Sequence, residues 1–336
     1  MVNHMPSYAT MHQAVESAVR QVSERLPGAK DTLLNSAVSH ALHPEGKLMR
    51  PRLLLAAAHA AGGNVMACVP AAFAVEALHV GSLVHDDIID NDLKRRGRPS
   101  VYGAYGKNVA LVAGDSLMFR SFDWAEDCLS MGISNDRVLR AITVLARTGH
   151  ELCHGQMLEE EIARRQVLDF STYLSMVKGK TASLFYASTR MGAILGGAGP
   201  AAEEQWAQIG REFGMVFQME DDLLPYRGDG TRAGKDPYSD IRNGRITLPW
   251  ITAYLRGTDL ERGVLASNQH RAISGNGLVE ADKVHATIGQ PLNIAHCEEV
   301  IAAHAEKAEN LLKLNGTGEG VSVARTLLVD SLRRFR

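Results

Sequence analysis

Apolar residues recur along this chain at helical rather than alternating spacing. In "MHQAVESAVRQVSERL", Val15, Val19 and Val22 share one face and charged residues take the other, which predicts an amphipathic helix. Near the other end, "AHCEEVIAAHAEKAENLLKL" aligns Cys297, Ile301, Ala305, Ala308 and Leu312 on one stripe. The alanine-rich segments 54–61 and 71–77 combine strong helix propensity with small side chains that let helices approach closely. No run of alternating β-branched residues predicts a strand, and no short-period repeat is present.

Breakers divide these helices. "LHPEGK", "GRPSVYGAYGK" and "GGAGPAAEE" read as short loops, and "YRGDGTRAGKDPYSDIRNGR" (226–245) as a longer polar one. Loops of that length inside compact domains tend to be functional or disordered. "SNQHRAISGNGLVEAD" (267–282) reads as a second, surface loop without a role. No low-complexity linker separates two halves, so the expectation is one all-α domain over residues 1–336.

Composition narrows the possibilities. The chain is 45% hydrophobic and 22% charged with a net charge of −2, ordinary for a soluble globular protein. That balance offers nothing for nucleic acid or an acidic membrane surface. Cys68, Cys128, Cys153 and Cys297 are far apart with no C-x-x-C pair, which predicts reduced thiols in a cytoplasmic protein, not a disulfide frame or zinc site. The N-terminus lacks a basic region followed by an apolar one, so no signal peptide is expected. Apolar stretches such as "LLLAAAHAAGG" are too short and interrupted for a membrane span.

The chemistry concentrates in "SLVHDDIIDNDLKRRGRPSVYG" (82–103). Asp86, Asp87, Asp90 and Asp92 occupy seven positions, and Lys94, Arg95, Arg96 and Arg98 follow within six. On a helix, Asp86 and Asp90 stand one above the other on one face, where like charges repel. Clustered carboxylates of this kind suit Mg²⁺, which takes one or two of them plus substrate phosphates. A single acidic pair ending a helix is most simply a solvated helix end. A second one occurs in "GMVFQMEDDLLPYRGD", with Asp221 and Asp222 after another apolar run and Gln218 one turn earlier. Two such helices could face each other across a cavity and hold metals between them. Lys47, Arg50, Arg95, Arg96, Lys178, Lys180 and Lys235 would together serve phosphate groups, with no glycine cradle of either common type to do so. His79 lies two turns before Asp86 and could be aimed at the same place or packed in the core. His85 could be packing or functional, and Glu159, Glu160 and Glu161 read as a solvated face.

These segments resemble the trans-isoprenyl (polyprenyl) diphosphate synthases. "GKLMRP", "HDDIIDNDLKRRGRPS", "KGKTASLF", "FQMEDDLLPYRGD" and "GKDPYSDIRNGRITLP" match that family's motifs in order from about residue 46 to 249. The resemblance implies an all-α isoprenoid synthase fold of antiparallel helices around a central cavity, usually homodimeric. It implies Mg²⁺-dependent, head-to-tail condensation of isopentenyl diphosphate with an allylic diphosphate such as geranyl or farnesyl diphosphate. Carried over by position, Asp86, Asp90 and Asp221 would hold metals, with Asp87 and Asp222 in support. Arg95, Lys180 and Lys235 would bind the allylic diphosphate, and Lys47, Arg50, His79 and Arg96 the isopentenyl diphosphate. Thr181 and Gln218 would line the path of the developing cation. Gly81 and Ser82, small where short-chain members carry an aromatic floor, imply products of C20 or longer.

Two departures stand out. Pro225 replaces the last acid of the second motif, a change some relatives tolerate, and Leu48 replaces a second basic residue. A class I terpene cyclase would share the aspartates but has no use for the second diphosphate site of Lys47, Arg50, His79 and Arg96. A non-catalytic partner subunit would be expected to lose the first aspartate motif, which is intact here.

Overall fold

The computed structural model describes residues 11, 13, 17, 20, 32–43, 46–165, 168–227, 238–275 and 279–333. Val15, Val19, Val22 and Lys235 lie outside the described residues. Among those described, helices account for nearly all regular structure: α1 (Leu33–Leu42), α2 (Met49–Ala60), α3 (Val69–Ile89), α4 (Val101–Tyr105) and α5 (Lys107–Glu126) come first. They are followed by α6 (Asn135–Arg165), α7 (Phe170–Val177), α8 (Ser183–Gly196), α9 (Pro200–Leu223) and α10 (Ser239–Arg242). The last are α11 (Leu248–Arg256), α12 (Asp259–Ser274), α13 (Ala281–Ile288), α14 (Pro291–Leu314) and α15 (Glu319–Arg333). On the predicted α14 stripe Cys297, Ile301, Ala308 and Leu312 are each at most 2% exposed, and Ala305 is half-buried.

Contacts divide the chain into two compact units, one of Met1–Gly149, Leu184–Gly210 and Leu311–Leu327, the other of His150–Ser183, Arg211–Asn310 and Leu328–Arg336. In the first unit α2 is buried continuously from Met49 to Ala58. Small residues on its neighbours make that possible. A Cβ on Gly192 of α8 would lie 2.1 Å from the Leu54 carbonyl oxygen, and one on Gly320 of α15 would lie 2.3 Å from that of Ala56. Helix α3 is apolar and buried over most of its length. Val65–Ile89 is long and apolar enough to cross a membrane, contrary to the expectation from the sequence, but 78% of its most apolar window is buried inside the protein. It is a core helix.

Where α3 meets α5, Gly81 faces Gly114. A Cβ at position 81 would stand 3.0 Å from the Gly114 carbonyl oxygen and 3.2 Å from Leu117 Cβ. An aromatic side chain at position 81 would therefore strike a neighbouring helix, whereas the Ser82 hydroxyl donates to the His79 carbonyl at 2.8 Å.

The second unit corrects one boundary. Most of the expected loop 267–282 is helix, because α12 runs to Ser274 with a capping box of Thr258 and Glu261 at its start and Gly275 in the left-handed region at its end. The polar residues that suggested a loop are partly inside: Asn268 is 3% exposed and accepts from the Glu280 backbone N–H at 2.7 Å. In the same unit, Lys178–Ala182 forms a π-helical turn, a local widening common at functional sites.

The Gly81 contact makes a graded prediction. Gly81→Ala gains about 1 kcal/mol of helix propensity and loses a similar amount to crowding, so its stability should stay near wild type. Gly81→Phe should cost roughly 3 kcal/mol or more, read as a melting temperature lower by about 6 °C or more in thermal unfolding.

Candidate active site

Both aspartate pairs sit in the last turn of a helix. Asp86 and Asp87 end α3 with Asp90 as its C-cap, and Asp221 and Asp222 end α9. The helix macrodipole places partial negative charge at these ends, so carboxylates there are opposed by the backbone as well as by one another. A cation relieves both conflicts.

The members of each pair differ. Asp86 and Asp90 are half-buried, while Asp87 is 2% exposed and accepts from Arg95 Nε and Nη2 at 2.8 Å. Burial pushes the Asp87 carboxyl up to about 6 against the opposing pull of Arg95. Arg95 and Arg96 lie on a small hairpin that no strand pattern foretold, pairing Lys94 with Pro99 and Arg95 with Arg98. Its two-residue turn holds Arg96 at φ 52° and Gly97 at φ 78°. The left-handed region costs a non-glycine residue about 1 kcal/mol, yet an arginine occupies it, aimed beside the loop that carries Lys47. A Cβ on Gly46 would lie 2.8 Å from Arg96 Nη2.

Arg98, and His40, which the sequence reading passed over, clamp this hairpin to α1. His40 Nε2 bonds the Pro99 carbonyl at 2.9 Å, and Arg98 donates to the His40 carbonyl. Arg95, Arg96, Arg98, Asp87, His40 and His43 line a small open cleft. Behind them Arg50 is buried, 4.2 Å above the Phe185 ring, and burial lowers it to about 10 despite Glu76, so it stays charged. Glu76 is another residue missed, a buried acid in "AAFAVEALHVG" whose charge answers Arg50 and Arg96 while burial raises its carboxyl. His79 is held well below its usual range by burial and by Arg50, Arg96 and Arg95, and is neutral. The structure thus gathers Arg50, His79, Arg95 and Arg96. Lys47 is exposed nearby in sequence, and its carbonyl accepts from Arg52 Nη1 at 3.2 Å. Leu48, where a second basic residue was looked for, is buried and left-handed, at φ 49°.

In the second unit, Lys180 and Thr181 ride on the π-helical turn. The turn rests against α6, where a Cβ on Gly155 would lie 2.1 Å from the Lys180 nitrogen. Lys180 Nζ pairs with Glu159 at 2.5 Å, both about one-fifth exposed, so Glu159 is not part of a merely solvated face. Thr181 Oγ1 donates to Gln218 Oε1, Gln218 Nε2 to Asp222 Oδ1, and Tyr173 OH to Asp222 Oδ2, each at 2.7 Å. The Leu248 backbone N–H completes the set on Asp222 at 2.9 Å. Asp222 is buried and committed, whereas Asp221 is half-buried. At Pro225 the carbonyl bonds His285 Nε2 at 3.0 Å.

Among the described residues no three histidine, cysteine or carboxylate groups converge on one point. Magnesium does not need three, since it binds through one or two carboxylates plus substrate phosphates and water. The half-buried Asp86, Asp90 and Asp221, all hard oxygen donors, fit that chemistry.

A family model described as polyprenyl synthetase matches residues 31–281. The chain belongs to the polyprenyl synthetase family. This synthase is 37% identical over 242 residues to the geranylgeranyl diphosphate synthase of Methanosarcina mazei, spanning 71% of this chain and 73% of that one. To the (2E,6E)-farnesyl diphosphate synthase of Mycobacterium tuberculosis it is 35% identical over 263 residues, 74% of this chain and 71% of the other. The solved polyprenyl synthase of Caulobacter crescentus, complexed with calcium and isoprenyl diphosphate, superposes with a TM-score of 0.85 at 25% identity over 99% of this chain and 100% of that one. The synthase has the all-α isoprenoid synthase fold and is a prenyltransferase. The relatives favour chain elongation over the cyclase alternative.

Asp222 makes a prediction about pH. Burial raises its carboxyl to about 7 although Leu248, Gln218 and Tyr173 donate to it. A folded value above the unfolded one, about 4, means that the folded state holds the extra proton. The associated stability is complete below about pH 4 and is lost as pH rises through about 7. Without added metal, the melting temperature should fall across this window, and Asp222→Asn should flatten the slope. A flat wild-type profile would contradict a protonated Asp222.

Proposed function

We propose that this synthase condenses isopentenyl diphosphate head to tail with an allylic diphosphate, using Mg²⁺, to make a prenyl diphosphate of C20 or longer. The observation that carries this reading is the gathering of Arg50, Arg95 and Arg96 around His79, on the helix that ends in Asp86, Asp87 and Asp90. A single-substrate cyclase has no use for that second set of anion-binding groups. The naming of relatives as geranylgeranyl and farnesyl diphosphate synthases supports the same chemistry.

Asp86 and Asp90 at the end of α3, and Asp221 at the end of α9, would hold metal ions, which when bound would supply positive charge to the departing diphosphate. Arg95, fixed by Asp87, and Lys180, fixed by Glu159, grip the allylic diphosphate, with Lys235 assigned to the same task. Lys47, Arg50, Arg96 and His79 hold the isopentenyl diphosphate, Arg through its planar fork. As the allylic C–O bond breaks, its electron pair leaves with diphosphate. Thr181 and Gln218 present oxygen atoms to the developing cation, and the isopentenyl double bond attacks it. The proton released on forming the new double bond goes to the departing diphosphate, so no protein base is required. Ser82, one turn before Asp86, borders the path of the growing chain, with Gly81 beside it.

We further propose a homodimer working in the cytoplasm. Leu111, Val112 and Phe119 on α5 and Leu139 on α6 are each 49% to 73% exposed, apolar area that a second copy would cover.

Two experiments test the assignment. Asp86→Ala should keep the helix, since it relieves repulsion, yet lower kcat more than about tenfold, a barrier increase above ~1.4 kcal/mol. Arg50→Ala should raise KM for isopentenyl diphosphate far more than for the allylic substrate. Equal effects on both would defeat the division of cations. For chain length, Ser82→Phe should shorten the product by at least one C5 unit in chromatography of reactions primed with farnesyl diphosphate. Wild-type enzyme that makes no product beyond C15 would refute the open path, and product formed without isopentenyl diphosphate would restore the cyclase.

A further inference from the structure

Residues 150–154 read His-Glu-Leu-Cys-His, the H-E-x-x-H spacing that places two imidazoles on one face of a helix as ligands for zinc. The prenyl-transfer reading makes no use of either histidine. The segment lies in the middle of α6, so the spacing occurs in the secondary structure it requires. His150 and His154 are both exposed. Their rings meet edge to face with centroids 4.5 Å apart, and their Nε2 atoms approach to 3.2 Å.

That separation is chemically specific. Two nitrogens each about 2.05 Å from one tetrahedral zinc ion stand about 3.3 Å apart. The helix therefore already holds the two donors at chelating distance, at no further conformational cost beyond turning both lone pairs toward one point. In the metal-free protein the contact is satisfied by one imidazole donating its Nε2 proton to the other. With metal bound, each ring carries its proton on Nδ1 and presents Nε2.

We infer that His150 and His154 form a binding site for a borderline divalent cation of the Zn²⁺, Co²⁺ or Ni²⁺ class. Imidazole nitrogen prefers such ions to Mg²⁺, which prefers oxygen, so this site and the carboxylate clusters select different metals. The remaining coordination positions belong to water, because no third histidine, cysteine or carboxylate converges here among the described residues. The central glutamate of the motif is not positioned as a general base: Glu151 pairs with Arg211 of α9 at 3.7 Å. The site is thus a binding site and not a hydrolytic centre.

The test uses the full-length protein with Zn²⁺ in equilibrium dialysis, in excess Mg²⁺ so that the carboxylate sites are occupied. Wild type should bind one Zn²⁺ per chain. His150→Ala and His154→Ala should each weaken binding about tenfold or more, because each removes half of a chelate. Both variants should retain wild-type kcat with Mg²⁺, which confirms folding, since alanine at an exposed helix position is well tolerated. Cys153→Ser should bind as wild type, and Co²⁺ substitution should show tetrahedral d–d absorption without a thiolate charge-transfer band. The inference is overturned if wild type takes up no Zn²⁺ in excess Mg²⁺, if either histidine variant loses less than about tenfold, or if only Cys153→Ser weakens binding.

Discussion

Carboxylates at the carboxyl end of an apolar helix are the constraint around which the chemistry of this protein is organised. At the ends of α3 and α9 the backbone dipole, the low dielectric of the core and neighbouring like charges all oppose ionisation. Each helix meets the conflict in the same way. One aspartate of the pair is withdrawn and neutralised by partners, and the other is left half-buried. Asp87 takes Arg95 as its partner, and Asp222 takes Tyr173, Gln218 and the Leu248 amide. What stays half-exposed is a hard-oxygen donor of the kind Mg²⁺ prefers.

The cations are placed by equally specific means. Arg95 and Arg96 are carried by a hairpin too short to be stable alone. It persists because Arg98 and His40 tie it to α1 and because Gly97 accepts a left-handed conformation. Arg50 stays charged in the core, with the Phe185 ring below it and Glu76 nearby. Lys180 depends on a π-helical turn and on two glycines, Gly155 and Gly179, that let one backbone lie against another. In every case a polar group with a proposed chemical role is positioned by a residue whose own contribution is steric or electrostatic.

Much of this was legible in the sequence. Helical periodicity gave the all-α class, and the α14 stripe is largely buried where the spacing put it, because a 3.6-residue period leaves one solution for the apolar face. The five motifs in order indicated the family, and their aspartates, lysines and arginines suggested the metal and diphosphate chemistry proposed above. Charge type, spacing and order along the chain are properties that sequence carries directly.

Other features depended on contacts between residues distant in the chain. Glu159 looked like one of three solvated acids until Lys180, 21 positions later, was found against it. Gly81 looked like an opening until Gly114 and Leu117 of α5 were found to occupy the space a side chain would fill. Residues 267–274 looked like a loop because their polar side chains, Asn268 among them, are satisfied by groups that local sequence does not reveal. Sequence by itself determined which residues could bind metal and phosphate, because that follows from functional groups and helical spacing. Tertiary structure decided which of them are buried and which stay half-exposed, because burial and hydrogen bonding are set by what the folded chain brings alongside.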